Sequence, residues 1–146
     1  MRATTAAPEE RARRALFLFP AAIGALFLFA RSRTSGYDIR EVDVAQAKAL
    51  LEAAALVVDV RALDKFAYRH LPGAITLPLA VLRLGIPASF TAAKDARILV
   101  YCGDGLTIGP EGTHLLNQAG YVNAVNLKQG IEGWVASGLP VEKSSA

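Results

Sequence analysis

Cys102, the only cysteine of the chain, ends an apolar run, Arg97-Ile-Leu-Val-Tyr-Cys102, and opens a loop, Gly103-Asp-Gly-Leu-Thr107, that leads to a helix expected from Pro110. That placement favours a thiolate. Backbone N–H groups of a tight loop and of the following helix's first turn have no partners of their own, so they stabilise negative charge on sulfur and on an anion beside it. A free thiol titrates near about 8.5, and a helix N-terminus can bring such a group down to roughly 3.5–7.5. The competing reading is a small buried hydrophobe at a strand end, the commoner fate of an isolated cysteine. Gly103 and Gly105 permit close approach and positive φ, and Thr107 offers a hydroxyl donor. No side-chain base stands out. His70 lies in a turn motif, and His114 falls on the helix after the loop without a metal-ligand spacing partner, so no metal is expected.

The elements that must hold this loop fit one domain in 146 residues, with apolar content enough for a real core. A single cysteine forms no internal disulfide, so packing must stabilise the domain, and nothing points to an oxidising compartment. The net charge of +3 is unevenly placed. Residues 1–33 hold six Arg and two Glu, whereas from Thr34 onward ten Lys plus Arg face eleven Asp plus Glu, a balance of minus one. A nucleic-acid surface on the folded domain is therefore not expected.

The N-terminal surplus has a different explanation. A basic flank, residues 1–14, precedes Ala15 to Ala30, sixteen residues without a charge, and Arg31 and Arg33 follow at once. This reads as a single-pass transmembrane helix in a lipid bilayer. It is shorter than the roughly 20 residues of a comfortable span, but flanking arginines snorkel and bilayers thin locally. A cleaved export signal has a similar layout, yet Leu28 with Ala30 departs from the small-x-small cleavage pattern, which favours an uncleaved anchor. Arginines flank both ends, so the positive-inside bias leaves the periplasmic and cytoplasmic sides equally open.

Beyond a linker, residues 31–36, short β-rich runs alternate with helical patterns through residues 37–142, leaving a tail of 143–146. That alternation specifies an α/β domain with a mostly parallel sheet covered by helices. Asp43 caps a helix running to about Ala54. Leu56–Val60, Ile98–Tyr101 and Ala124–Leu127 are expected as strands, with a further short one between Leu71 and Pro78. Helices are expected over 64–68, 81–84, 110–118 and 131–137, with Gly120 stopping the third of these.

Three signatures in this order resemble the rhodanese-like family, the sulfurtransferase fold. They are Val57-Val-Asp-Val-Arg61 with Phe66 and His70-Leu-Pro-Gly-Ala-Ile75, then Val100-Tyr-Cys-Gly-Asp-Gly-Leu-Thr107, then Gly130-Ile-Glu-Gly-Trp134 with Gly138-Leu-Pro140. The resemblance runs from about Tyr37 to Val141. It implies a three-layer α/β fold and a cysteine persulfide as intermediate, with no cofactor. In this reading Cys102 takes the outer sulfur of a donor such as thiosulfate and passes it to cyanide or a thiol. Gly103, Asp104, Gly105, Leu106 and Thr107 would surround that sulfur with backbone donors. The resemblance makes Asp59 and Arg61 structural supports, and Trp134 a packing anchor.

The loop also departs from its relatives. Thiosulfate users of the family tend to carry Arg or Lys there, whereas this loop has Gly103 and Asp104 and no cation. A carboxylate about 6 Å from sulfur costs roughly 0.7 kcal/mol in water, comparable with one helix-dipole contribution of about 0.3–1 kcal/mol, so several inward amides should still outweigh it. A dianionic donor is repelled twice as strongly. A small-molecule or protein persulfide is therefore the expected donor over thiosulfate. Ile108-Gly-Pro-Glu-Gly112 inserts glycines and a proline where relatives continue into a helix, and Ile108 stands where the related phosphatases place an anion-gripping Arg, so phosphatase chemistry is disfavoured. The alternative to an enzyme is a noncatalytic, membrane-tethered module that binds a partner or senses sulfur species through its thiol.

Overall fold

The computed structural model describes residues 30–32 and 36–145. The expected membrane-spanning segment, apart from Ala30, lies outside the described residues, as do flank 1–14 and Ala146. Among the described residues no helix is long and apolar enough to cross a membrane.

Six strands and five helices alternate: β1 (Ala30–Ser32), β2 (Ile39–Val42), α1 (Val44–Glu52), β3 (Leu56–Asp59), α2 (Leu63–Tyr68), β4 (Ile75–Thr76), α3 (Leu79–Leu82), β5 (Ile98–Tyr101), α4 (Ile108–Gln118), β6 (Ala124–Leu127) and α5 (Gly130–Ala136). The sheet order is β1-β2-β6-β5-β3-β4, and every pairing is parallel except β1 with β2. This is the expected α/β architecture, a mostly parallel sheet between helical layers.

Period-two alternation in β5 decides where the cysteine goes. Ile98, Val100 and Cys102 join the core that includes Leu82 of α3 and Leu116 of α4. Leu99 and Tyr101 join the opposite core, with Leu50 of α1 and Trp134 of α5. Both faces of the central strands are thus buried, as their continuous apolar runs require. Asp43 caps α1 through a reciprocal pair, accepting from the Gln46 amide at 2.8 Å while Gln46 Oε1 accepts from the Asp43 amide at 2.9 Å.

Three local expectations change. Ala30–Ser32, read as a helix end and the start of a linker, pair antiparallel with β2 and cover the backbone groups that an edge strand would leave open. The strand β2 was not anticipated. Helix α4 begins at Ile108, two residues before Pro110, because the first-turn N–H groups of a helix are unbonded in any case and a proline there loses nothing. The glycines around it are close-approach positions: a Cβ at Gly109 would stand 2.5 Å from Asn126 Oδ1 and 3.0 Å from Cys102 Sγ, and one at Gly112 would stand 2.9 Å from Val60 Cγ1.

Candidate active site

Cys102 leaves β5 at the C-terminal edge of the parallel strands, where open α/β sheets place their ligand crevices. The loop after it is held from two sides. First-turn amides of α5 reach it from one side, Ile131 N–H donating to the Cys102 carbonyl at 2.9 Å and Glu132 N–H to the Gly103 carbonyl at 3.0 Å. From β6, Asn126 Nδ2 donates to the Gly105 carbonyl at 2.9 Å. Those three bonds fix the peptide planes on which the loop turns.

Gly105 has φ +78°, and a Cβ there would overlap the carbonyl oxygens of Leu127 and Lys128, so this position admits only glycine. Gly103 is under no such demand. Its φ is not positive, and a Cβ would meet Glu132 Oε1 at an ordinary 3.6 Å. Of the two loop glycines expected to need special geometry, only Gly105 does.

The sulfur is buried, with no exposed surface on Cys102. One amide addresses it: Gly105 N–H donates to Sγ at 3.2 Å. The amides of Leu106 and Thr107, at 2.8 Å and 3.1 Å, and the Thr107 hydroxyl, at 3.1 Å, donate instead to Asp104 Oδ1. That same oxygen accepts from the Cys102 thiol at 3.5 Å, while the Thr107 hydroxyl is 4.0 Å from sulfur. The Leu106 amide foremost, with Thr107 and the thiol, holds the Asp104 carboxyl below its ordinary 3.8 although burial opposes this. A carboxylate expected about 6 Å from sulfur therefore sits at 3.5 Å and takes two of the amides expected to face the sulfur. The physical cause is a short Asx-type turn, in which an Asp side chain bonds the amides two and three residues ahead. Leu106 leaves its side chain at the rim, 58% exposed.

Asp59 and Arg61 form a buried fork. Arg61 Nε donates to Asp59 Oδ1 at 3.0 Å and Nη2 to Oδ2 at 2.7 Å, while Nη2 also reaches the Arg69 carbonyl at 2.7 Å. Burial works against the Arg61 charge, yet hydrogen bonding and attraction to Asp59 prevail and raise its pKa. The pair sets the chain leaving β3. His70 stacks on Phe66 at 4.0 Å and bonds the Phe66 carbonyl through Nδ1 at 2.9 Å, and the His114 ring lies 4.9 Å from that of Tyr37. Trp134 is buried, its Nε1 donating to the Pro140 carbonyl at 2.8 Å. Among the described residues no group of His, Cys, Asp and Glu could hold a metal ion.

Sequence reasoning missed Asn126 and Glu41. Asn126 is wholly buried beneath the loop, and its Nδ2 donates both to Gly105 and to the buried Glu41 carboxylate at 2.8 Å. Both partners are acceptors, so Oδ1 is fixed facing the other way, where no donor meets it. The signal was present: a lone polar residue inside the apolar run Ala124-Val-Asn-Leu127.

Residues 43–137 match the model of the rhodanese-like domain. The chain belongs to the rhodanese-like family. It is 32% identical over 106 residues to the thiosulfate sulfurtransferase GlpE of Haemophilus influenzae (strain PittEE), covering 72% of this chain and 96% of that one. It is 31% identical over 87 residues to the uncharacterized protein YibN of Escherichia coli (strain K12), covering 60% of each. The chain thus spans about three fifths of that relative's length. Among solved structures, a rhodanese-related protein from Thermoplasma volcanium superposes with a TM-score of 0.63 at 25% identity, covering 72% of this chain and 99% of that one. Of these three relatives GlpE carries a sulfurtransferase name, and the fold that holds Cys102 is shared with the Thermoplasma volcanium protein.

Proposed function

We propose that the chain is a membrane-anchored sulfurtransferase that moves sulfane sulfur through a persulfide on Cys102. The observation that carries this reading is the Gly105 amide donating to Sγ at 3.2 Å, inside a loop whose carbonyls are held in place by α5 and β6. The sulfurtransferase name of the GlpE relative supports it. As a thiolate, Cys102 attacks the outer sulfur of the donor. The donor's S–S bond breaks and its electron pair departs with sulfite from thiosulfate, or with a thiolate from a small-molecule or protein persulfide. Cyanide or an acceptor thiolate then attacks the outer sulfur of the persulfide, and Cys102 leaves as thiolate. The Gly105 amide stabilises the anionic sulfur at each stage, and the cycle uses neither metal nor cofactor. The apolar residues 15–29, which precede β1, would tether the domain to a bilayer.

Intact mass after donor exposure tests the chemistry. The expected result is a gain of one sulfur that cyanide removes and that Cys102→Ser abolishes. No gain from thiosulfate or from a persulfide donor would reject it. A noncatalytic, sulfur-sensing or partner-binding module is the second reading, favoured by the burial of Cys102 and by the carboxylate lying against it. Retention of the full chain in carbonate-washed membranes tests the tether, and release into the supernatant would reject it.

A further inference from the structure

Three donors of the Cys102 loop, the Leu106 amide, the Thr107 amide and the Thr107 hydroxyl, converge on one point, and Asp104 Oδ1 already occupies it. That point lies 3.5 Å from Sγ. A sulfur bonded to Sγ, at the roughly 2.05 Å of an S–S bond, or an anionic donor approaching Sγ, needs the same donors and the same space.

The strongest of these donors, the Leu106 amide, does not depend on Asp104 for its orientation. Ile131 and Glu132 hold the Cys102 and Gly103 carbonyls, Asn126 holds the Gly105 carbonyl, and Gly105 packs against the backbone of Leu127 and Lys128. Because the Gly105 carbonyl and the Leu106 N–H share one peptide plane, Asn126 aims that N–H whether or not a carboxylate meets it. Asp104 is half-buried beside the exposed Leu106 and Thr107, so its side chain has open solvent to swing into. The surroundings are hostile to an incoming anion. Glu132 Oε1 stands against Gly103, and the unpartnered Asn126 Oδ1 borders the same first turn of α4 that Sγ touches.

We infer that the Asp104 carboxylate is an exchangeable internal anion that fills the sulfur-acceptor site of the Cys102 loop at rest and sets its selectivity against anionic donors. This rests on the sulfurtransferase reading and names the residue that determines its donor class. A dianion such as thiosulfate must displace the carboxylate and then meets no loop cation. A donor that brings its outer sulfur as a neutral S–H group avoids most of that repulsion while the carboxylate swings aside.

The test uses the full chain, in which Cys102 is the sole thiol, labelled by anionic iodoacetate and by neutral iodoacetamide. Both reagents consume the same thiolate, so their rate ratio cancels any change in its fraction and reports anion access alone. Asp104→Ala should raise the iodoacetate-to-iodoacetamide ratio about fourfold, the factor expected in water from removing one unit charge about 5 Å from the reagent's carboxylate. Asp104→Asn keeps the side-chain shape and an acceptor oxygen, guards against misfolding of the first variant, and should move the ratio the same way. An unchanged ratio, an equal rise with both reagents, or no labelling of any variant by either reagent would overturn the inference. Sulfur gain from thiosulfate and from a small-molecule persulfide is measured in parallel: a raised labelling ratio without sulfur gain from either donor in any variant leaves the filled site standing and rejects the sulfurtransferase reading.

Discussion

The Asn126 side-chain amide of β6 donates to the Glu41 carboxylate of β2 across 2.8 Å, with both side chains buried. The same amide holds the Gly105 carbonyl, so one donor group ties the sheet to the reactive loop. Removing it strands a buried carboxylate and a buried carbonyl, which costs more than the bond itself contributes. Asn126→Ala should lower stability by about 2–3 kcal/mol in urea unfolding. Asn126→Asp, although isosteric, turns a second acceptor on Glu41 and should cost more than the alanine. Glu41→Gln added to Asn126→Asp restores a donor to the pair and should recover part of the loss. Additive losses in the double variant would show that the two side chains are not coupled.

The two loop glycines separate conformational need from mere proximity. Gly105→Ala forces a Cβ onto the Leu127 and Lys128 carbonyls at φ +78°. Its expected cost is about 3 kcal/mol from overpacking and strain, together with loss of sulfur loading on Cys102. Gly103→Ala meets only Glu132 Oε1 at 3.6 Å and should stay within about 0.5 kcal/mol of the parent. Thermal unfolding of the two variants side by side checks the contrast, and equal destabilisation would contradict it.

The contrast also shows what a sequence can and cannot announce. Leu56–Asp59, Ile98–Tyr101 and Ala124–Leu127 declared themselves as strands because continuous apolar runs have few other uses, and Asp43 marked the start of α1 because a capping side chain is local chemistry. Strand β2 stayed hidden. Its Ile39-Arg-Glu-Val42 breaks alternation by burying Glu41, and that burial makes sense only once Asn126, 85 residues away, is beside it. The loop around Cys102 was legible as a glycine-shaped turn, but the direction of the Asp104 side chain, which takes two of the amides expected to face the sulfur, was not. Whether a carboxylate points to solvent or bonds the amides two and three residues ahead depends on backbone angles that Ile131, Glu132 and Asn126 impose from elsewhere.

Asp59 and Arg61 illustrate a pair whose value lies in being complete. Asp59 has no exposed surface and Arg61 only 8%, so truncating either leaves an unpaired charge in the interior. Asp59→Ala or Arg61→Ala should each cost about 3–5 kcal/mol. Asp59→Leu combined with Arg61→Met replaces both charges by apolar groups and should cost less than either single change. The chevron or urea midpoint of the three variants decides the matter. A double variant as unstable as the sum of the singles would mean that the fork contributes more than mutual neutralisation, through the Arg69 carbonyl that Arg61 also holds.

Asp104 gives the fold a specific acid sensitivity. Its carboxyl is held below the ordinary 3.8 by the amides of Leu106 and Thr107, the Thr107 hydroxyl and the Cys102 thiol, all of which favour the ionised form. A group whose folded value is depressed contributes stability that is complete above the unfolded value, about 3.9, and that disappears as pH falls through the folded value. Asp104→Asn has no proton to gain there. Glu111, lowered by its hydrogen bond to Arg83, follows the same sign but is present in both proteins and cancels in their difference. The stability gap between parent and Asp104→Asn, measured by urea unfolding at pH 7, 5, 4 and 3, should therefore stay constant down to about pH 5 and shift against the parent as pH falls below about 4. A gap that stays level across that range would mean that the Asp104 carboxyl gains nothing from these donors, and that its seat in the loop is geometric rather than electrostatic.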